Sequence, residues 1–515
     1  MTAAAARSTE LKPEHFDVLI VGAGVSGVGA AYHMRTQMPE ASYVVLEAQE
    51  TFGGTWHTHK YPGIRSDSDL YTFGYRFKPW LGDPIAKGEK ILAYMGEVIQ
   101  ENDLARHIRY RHKITGASWS SETCLWTVTA RRGDTGEEVR FTTNFMWMCQ
   151  GYYRHDQGYT PQWAGMDTFK GPIVHPQTWP KDVDLKGKRV VVIGSGATAA
   201  TLVPSIADEV AHVTMLQRSP TYFSPGRNAD ELADTLRALK IDPSWIHEIV
   251  RRQRLYLGSV FTKRAFTHAE EVRKEMLGVV KASLPEGFDV DKHFTPSYLP
   301  WRQRIAFVPD GDLFKAIHAG KASVVTDEID RFVEDGILLK SGETLHADVI
   351  VSATGFDLSV LGDIPFEVDG APVDFSQTVT WRGMTFTGVP NLAWVFGYFR
   401  ASWTLRVDIM ADFIIRLLKH MRAKGVAKVT TELRPEERDM ERLPWMDPDN
   451  FNPGYLMRSM HLMPKRGAKD EWGHTQDYWR EKDELPAIDL DDSVFHYAKP
   501  TAAVAAPQPR KTEDA

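Results

Sequence analysis

The sequence predicts an α/β fold with two Rossmann-like dinucleotide-binding domains, the second inserted in the first, and an additional helical insertion. Three observations carry that expectation. An apolar run from Phe16 ends in Gly22-x-Gly24-x-x-Gly27 and passes directly into a helical pattern. The same strand, turn and helix pattern returns at Lys188–Ala200, with Gly194, Gly196 and Ala199 in the three turn positions. At 515 residues the chain is also too long for one ordinary core.

In the first motif, Phe16-Asp17-Val18-Leu19-Ile20-Val21 reads as a buried parallel strand. Gly22 permits the tight turn, Gly24 lets a pyrophosphate approach the backbone, and Gly27 lets helix and strand pack closely. The pyrophosphate then sits on the helix N-terminus. The next strand, Tyr43–Leu46, ends in Glu47, where a carboxylate can accept ribose hydroxyl protons. Gly53-Gly54-Thr55-Trp56 and the loop Tyr61–Asp69 follow too closely to be a linker and are expected to fold over the cofactor. Within that loop Asp67 is either a solvated turn-capping aspartate or a functional carboxylate. The aromatic series Tyr71, Phe73, Tyr75, Phe77 and Trp80 reads as core. Alternation from about 111 to 148 predicts hairpin strands over one sheet edge, and Phe145–Cys149 a buried strand.

The second motif differs from the first in its chemistry. Met215-Leu216 leads to Gln217-Arg218-Ser219, so the strand-end carboxylate is gone and a guanidinium follows, which suits the 2′-phosphate of NADP. Thr198 and Ser219 join the expected cofactor-binding set. The first site thus reads as FAD or NAD, the second as NADP. Residues 228–281 are helical in pattern, and Arg251-Arg252-Gln253-Arg254 within them reads as a solvated helix face. Leu345–Asp357 is a buried strand meeting a turn at Gly355, able to return the chain to the first domain. Leu392–Tyr398 is another buried strand, and Ser402 an N-cap for an amphipathic helix to about Arg422, whose N-terminus would favour an anionic flavin ring. The expected division is 1–155 with 356–499, 156–227 with 301–355, a helical insertion over 228–300, and a disordered tail over 500–515.

Composition narrows the partners. A net charge of −7 provides no global basic field for nucleic acid or anionic lipid, which leaves small molecules. Cys124 and Cys149 are too few and too far apart for a redox pair or a disulfide framework, in keeping with a cytoplasmic protein. Met1–His15 lacks the apolar core of a secretion signal, and no apolar run is long enough for a membrane span. No metal site is expected, and monomer and homo-oligomer both remain open.

Between the two motifs lies Phe169-x-Gly171-x-x-x-His175-x-x-x-Trp179-Pro180, which resembles the fingerprint of Baeyer–Villiger monooxygenases. The loop Tyr61-Pro62-Gly63-Ile64-Arg65-Ser66-Asp67 and the segment around Arg304 extend the likeness over about 16–500, closest to the ethionamide-activating branch. The resemblance implies FAD and NADPH as cofactors and O2 with a ketone as substrates, through a C4a-peroxyflavin, giving an ester or lactone. It implies that Arg304 is the catalytic arginine and that Asp67 positions it. It gives His175 and Trp179 structural and conformational roles between domains. Related flavin-containing monooxygenases that oxygenate sulfur or nitrogen usually carry Tyr or Phe where Trp179 stands. Gln303 stands where many family members have a lysine on the NADP phosphate, so coenzyme preference rests more on Arg218. The alternatives are oxygenation of a sulfide or amine, and a non-catalytic flavin/NADP redox sensor.

Overall fold

A computed structural model describes residues 13–502. The expectations for Met1–Lys12 and for most of the tail lie outside those residues; Thr501 and Ala502 donate to the Glu122 carbonyl. Two sheets, one mixed and one parallel, organise the rest. In the first, Glu14–Val21 runs parallel between Tyr43–Leu46 and Glu138–Met148, with Leu392–Trp394 pairing the far end of the last strand. His112–Ser120 and Leu125–Arg132 extend it as an antiparallel meander, so the expected strand Phe145–Cys149 is the end of Glu138–Met148. The chain then leaves to build a second sheet in the order Ala322–Thr326, His212–Gln217, Arg189–Ile193, Val349–Ser352, Ile173–Val174, all parallel. It returns through Phe366–Val368 and Leu392–Trp394 to the first sheet.

The apolar runs dictate this arrangement. Leu19, Ile20, Val44 and Val45 in one sheet and Val190, Val191, Val192 and Ile350 in the other are almost wholly buried, because helices cover one face of each sheet and strands and loops cover much of the other. Each such side chain contributes about 1.5–3 kcal/mol on burial. Tyr71, Tyr75 and Trp80 are core as expected.

The insertion forms helices Glu231–Ala238, Pro243–Thr267 and Ala269–Ala282. Its basic cluster corrects the expectation of a solvated face. Arg251 is buried and donates from Nη1 to the carbonyls of Tyr71, Thr72 and Gly74 at 2.8, 3.1 and 2.9 Å, capping the end of the short helix Leu70–Phe73. Arg254 pairs with Asp69 (3.1 Å) and Asp230 (2.5 Å), and only Arg252 points to solvent. The loop before that helix behaves differently from expectation as well. Tyr61 joins the core of the second domain, and Arg65 grips Asp312 (2.5 Å) and the Ala200 carbonyl (3.4 Å). None of Tyr61–Asp69 lines the first cofactor cavity, because this segment straps the two nucleotide domains together.

The helix Trp403–Lys424 begins at Ser402 as expected, but the Ser402 hydroxyl bonds Thr72 Oγ1 (2.7 Å) and does not cap the helix. One turn in, Arg406 is fully buried against Glu481, Nε to Oε2 at 2.9 Å, and also donates to the carbonyls of Phe396 and Arg382. Burial alone would raise the Glu481 pKa, but the Arg406 charge, His474 and bonds from Arg406 and Tyr398 override it and hold it at about 2. Burial pushes His474 down to about 3 from its ordinary 6.5. The unfolded chain therefore binds protons that the folded one refuses. Stability should decline as pH falls below 6.5, when the unfolded histidine charges, and further below 4.5, when the unfolded glutamate protonates. Urea titrations across that range check the slope, which should shrink in His474→Gln. Arg406→Leu, which strands Glu481, should cost about 3–5 kcal/mol.

Candidate active site

Both glycine turns lie at the C-terminal ends of parallel strands, where open α/β sheets bind ligands. Gly22 has φ +94°, and a Cβ on Gly27 would stand 1.8 Å from the Gly22 carbonyl oxygen, so only glycine lets helix Val25–Gln37 approach this closely. The helix starts without a side-chain cap, leaving its first N–H groups for an anion. Before it opens a cavity of about 670 Å³, in the range of small-molecule sites. Gly22, Gly24, Glu47, Gly54, Thr55 and Trp56 line it.

The cavity fits a dinucleotide by its polar groups as well as its size. Glu47 is buried; its Oε2 accepts from the Ala23 N–H (2.6 Å) and its Oε1 from the Gln49 N–H (2.8 Å), which fixes the strand-end carboxylate at the glycine turn. Gln150, also lining the cavity, buries both amide atoms with no partner among the described residues, leaving a donor and an acceptor for a ligand. Trp403 closes another wall and donates from Nε1 to Ser26 Oγ (2.8 Å).

Tyr152 joins this cavity to Arg304. The Tyr152 ring stacks on Trp403, centroids 5.3 Å apart, and its hydroxyl bonds Tyr153 and stands 3.5 Å from Arg304 Nη2. Burial pushes both tyrosine pKa values above their ordinary range, so both phenols stay protonated. Burial also disfavours the Arg304 charge, but Tyr455, Tyr152, Asp67 and Tyr153 around it outweigh that and hold its pKa above the ordinary arginine value. Arg304 therefore carries a permanent charge behind Tyr152, which lines the cavity, its Cζ 6.0 Å from the Phe399 ring centre. Asp67 is exposed, accepts from Ser68 Oγ (3.2 Å), and acts on Arg304 through space without an ion pair. Sequence reasoning missed Gln150, Tyr152 and Tyr153. The signal was present, since they directly follow the buried strand Glu138–Met148, whose C-terminal end faces the ligand site.

In the second motif, Gly194 turns with φ +123°, its missing side chain leaving room for the Ala353 carbonyl at 2.3 Å from a built Cβ. Helix Ala197–Ile206 starts uncapped at Gly196, with Thr198 half-buried and Ala199 in the core. Arg218 and Ser219 are exposed at the end of strand His212–Gln217. Gln303, next to Arg304 in the chain, donates from Nε2 to Asn452 Oδ1 (3.3 Å).

The fingerprint forms the joint between the sheets. Phe169 packs edge-on against Phe332 in the core under the second sheet, and a Cβ on Gly171 would meet the Asp348 carbonyl at 2.3 Å. Trp179 packs against the other core of that domain. His175 Nδ1 accepts from the Gln177 N–H (3.1 Å) and its Nε2 faces the Gly355 carbonyl (3.3 Å), so the ring is neutral with its proton on Nε2. Burial lowers its pKa, and both nitrogens are committed, which leaves no free general base. The ring occupies the space a Cβ on Gly158 would need, at 1.9 Å. Gly158→Ala should thus cost about 1–3 kcal/mol in the parent but little in a His175→Ala background. A double-mutant cycle by chemical denaturation checks this; equal costs in both backgrounds would separate the two residues.

Comparison with known proteins places these features in context. Residues 20–79 match the NAD(P)-binding Rossmann-like domain and residues 83–230 the flavin-binding monooxygenase-like family. The chain is 44% identical to the FAD-containing monooxygenase EthA of Mycolicibacterium smegmatis over 96% of its own length and 99% of that protein. In fold it is similar to a steroid monooxygenase bound to NADP, with TM-score 0.74 and 24% identity over 94% of this chain and 100% of the other. A cyclohexanone monooxygenase from Rhodococcus sp. Phi1, bound to NADP+, superposes with TM-score 0.71 and 20% identity over 95% of this chain and 100% of that one.

Proposed function

The chain belongs to the Baeyer–Villiger family of flavoprotein monooxygenases, on the branch of the EthA enzymes, and on that premise we propose that it inserts oxygen next to a ketone carbonyl. It is a monooxygenase using FAD and NADP, which sets the redox-sensor alternative aside. The chemistry that FAD supplies at the first site is activation of O2 with two electrons drawn from NADPH. One oxygen atom enters the carbon–carbon bond beside the carbonyl, giving an ester or lactone, and the other leaves as water.

The protein's own groups then have definable tasks. Gly22, Gly24 and Gly27 with the uncapped helix N-terminus would hold the FAD pyrophosphate, and Glu47 a ribose. Gln150 would offer its two unpaired amide atoms to the bound cofactor, alongside Gly54, Thr55 and Trp56. Gly194, Gly196, Thr198 and Ala199 would seat the NADP pyrophosphate. Arg218, with Ser219, would meet the 2′-phosphate, with neutral Gln303 adding no charge there.

The reading rests on Arg304. A guanidinium that cannot deprotonate, in contact with Tyr152 of the cavity wall, would stabilise negative charge developing on the substrate carbonyl oxygen without donating a proton. Asp67 adds a negative charge near it, favouring its charged form. His175, Phe169, Gly171 and Trp179 hold the joint across which the NADP domain would move against the FAD domain.

A second reading has its own support. Two protonated phenols, Tyr152 and Tyr153, stand beside Arg304, and a site that keeps its oxidant protonated oxygenates sulfur or nitrogen. Competition between a ketone and a sulfide, with product mass spectrometry, separates the two. Arg304→Ala should keep FAD and continue oxidising NADPH while ester formation falls by about 100-fold or more; retained ester formation would remove Arg304 from the reaction. Arg218→Ala should raise KM for NADPH about tenfold with little change for NADH, and equal losses with both would argue against a 2′-phosphate contact.

A further inference from the structure

Large apolar side chains left in water are concentrated in one stretch. Among the described residues, nine of the twelve fall between Leu239 and Val279, so this is a patch and not scatter. The helix Pro243–Thr267 buries Ile246, His247, Val250 and Arg251 against the body of the protein. Its opposite face presents Trp245 (63% exposed), Ile249 (38%), Tyr256 (62%) and Val260 (38%). Steps of four, seven and four residues put these on one line, roughly 22 Å long at the α-helical rise. Arg252 and Lys263 fall on the same line.

The charges along this ridge identify its partner. Arg252 is paired with Glu248 and Arg264 with Glu275, whereas Lys263 has no ion-pair partner among the described residues. At the C-terminal end of the helix, Phe266 carries two guanidiniums, Arg302 at 5.0 Å and Arg400 at 4.8 Å. Neither meets a carboxylate within ion-pair distance among the described residues. Arg302 donates to the Asp449 carbonyl, and Arg400 to the carbonyls of Trp301 and Asn450 and the Asn450 side chain. Two like charges on one ring, both without a counter-ion, favour an anion from outside. Two copies meeting on this ridge would bring like charges together. A headgroup layer accepts Trp and Tyr, short apolar side chains and cations side by side.

We propose that this ridge rests on an anionic lipid surface, with Trp245, Ile249, Tyr256 and Val260 entering the acyl boundary and Lys263, Arg302 and Arg400 facing headgroup phosphates. The helix lies on the bilayer and does not cross it; no helix of the described residues is long and apolar enough to span. Because the protein as a whole carries a net charge of −7, attachment depends on this local patch and weakens as salt screens it.

Vesicle co-sedimentation of the FAD-loaded full chain tests this. The protein should pellet with phosphatidylcholine vesicles containing phosphatidylglycerol, several-fold less with phosphatidylcholine alone, and less again at high salt. Trp245→Ser/Tyr256→Ser should lower the partition coefficient by about tenfold, with FAD content and NADPH oxidation unchanged. Arg302→Gln/Arg400→Gln should remove the preference for anionic vesicles. Failure of the parent to pellet with anionic vesicles, or equal pelleting of parent and Trp245→Ser/Tyr256→Ser, overturns the proposal. So does a dimer in size exclusion that Trp245→Ser/Tyr256→Ser dissociates, which would make a second copy the occupant.

Discussion

The buried pairing of Arg406 with Glu481 is the constraint on which the architecture around the site depends. A guanidinium and a carboxylate with no solvent access are tolerated only when every donor and acceptor is answered. Here Arg406 answers the carbonyls of Arg382 and Phe396 as well as Glu481, and Glu481 also accepts from Tyr398 (2.5 Å) and Thr475 (2.8 Å). One interaction therefore ties the strand end at Phe396, the helix Trp403–Lys424 and the C-terminal helix Tyr478–Ala487 into a single piece. The first turn of that tied helix supplies Trp403, which walls the first cavity and stacks on Tyr152. Through Tyr152 the rigid C-terminal lock reaches Arg304.

The two nucleotide domains are joined more lightly, by contacts that cross between them one side chain at a time. Arg65 reaches Asp312, and His175 reaches Gly355 where the chain returns to the first sheet. Arg251 and Arg254 fasten the helical insertion to the short helix Leu70–Phe73 and its N-cap Asp69. The same insertion turns its other face outward as the apolar ridge, so one helix serves the fold on its inner side and faces a second environment on its outer side.

Much of the fold was legible residue by residue. The glycine turns at Gly22 and Gly194, the strands Tyr43–Leu46 and Arg189–Ile193, and the helix start at Ser402 all follow from contiguous patterns. Gly22, Gly24 and Glu47 meet at one cavity because the ends of neighbouring parallel strands lie side by side, and Gly54, Thr55 and Trp56 line it too. Less legible were the residues whose role depends on a distant partner. Arg251 looked like a solvated cation because its carbonyl acceptors lie on another segment, and the Tyr61–Asp69 loop was expected over the cofactor because its proximity in sequence said nothing of its grip on Asp312.

The sequence by itself determined where the two nucleotide folds begin, which one lacks a strand-end carboxylate, and that His175 and Trp179 lie between them, since these are properties of short stretches and their spacing. Tertiary structure alone decided that Arg304 stands against Tyr152, that Arg406 is buried on Glu481, and that Trp245 and Tyr256 face water. Burial and charge pairing are set by which segments meet in space, and in each of these cases the deciding neighbour lies far along the chain.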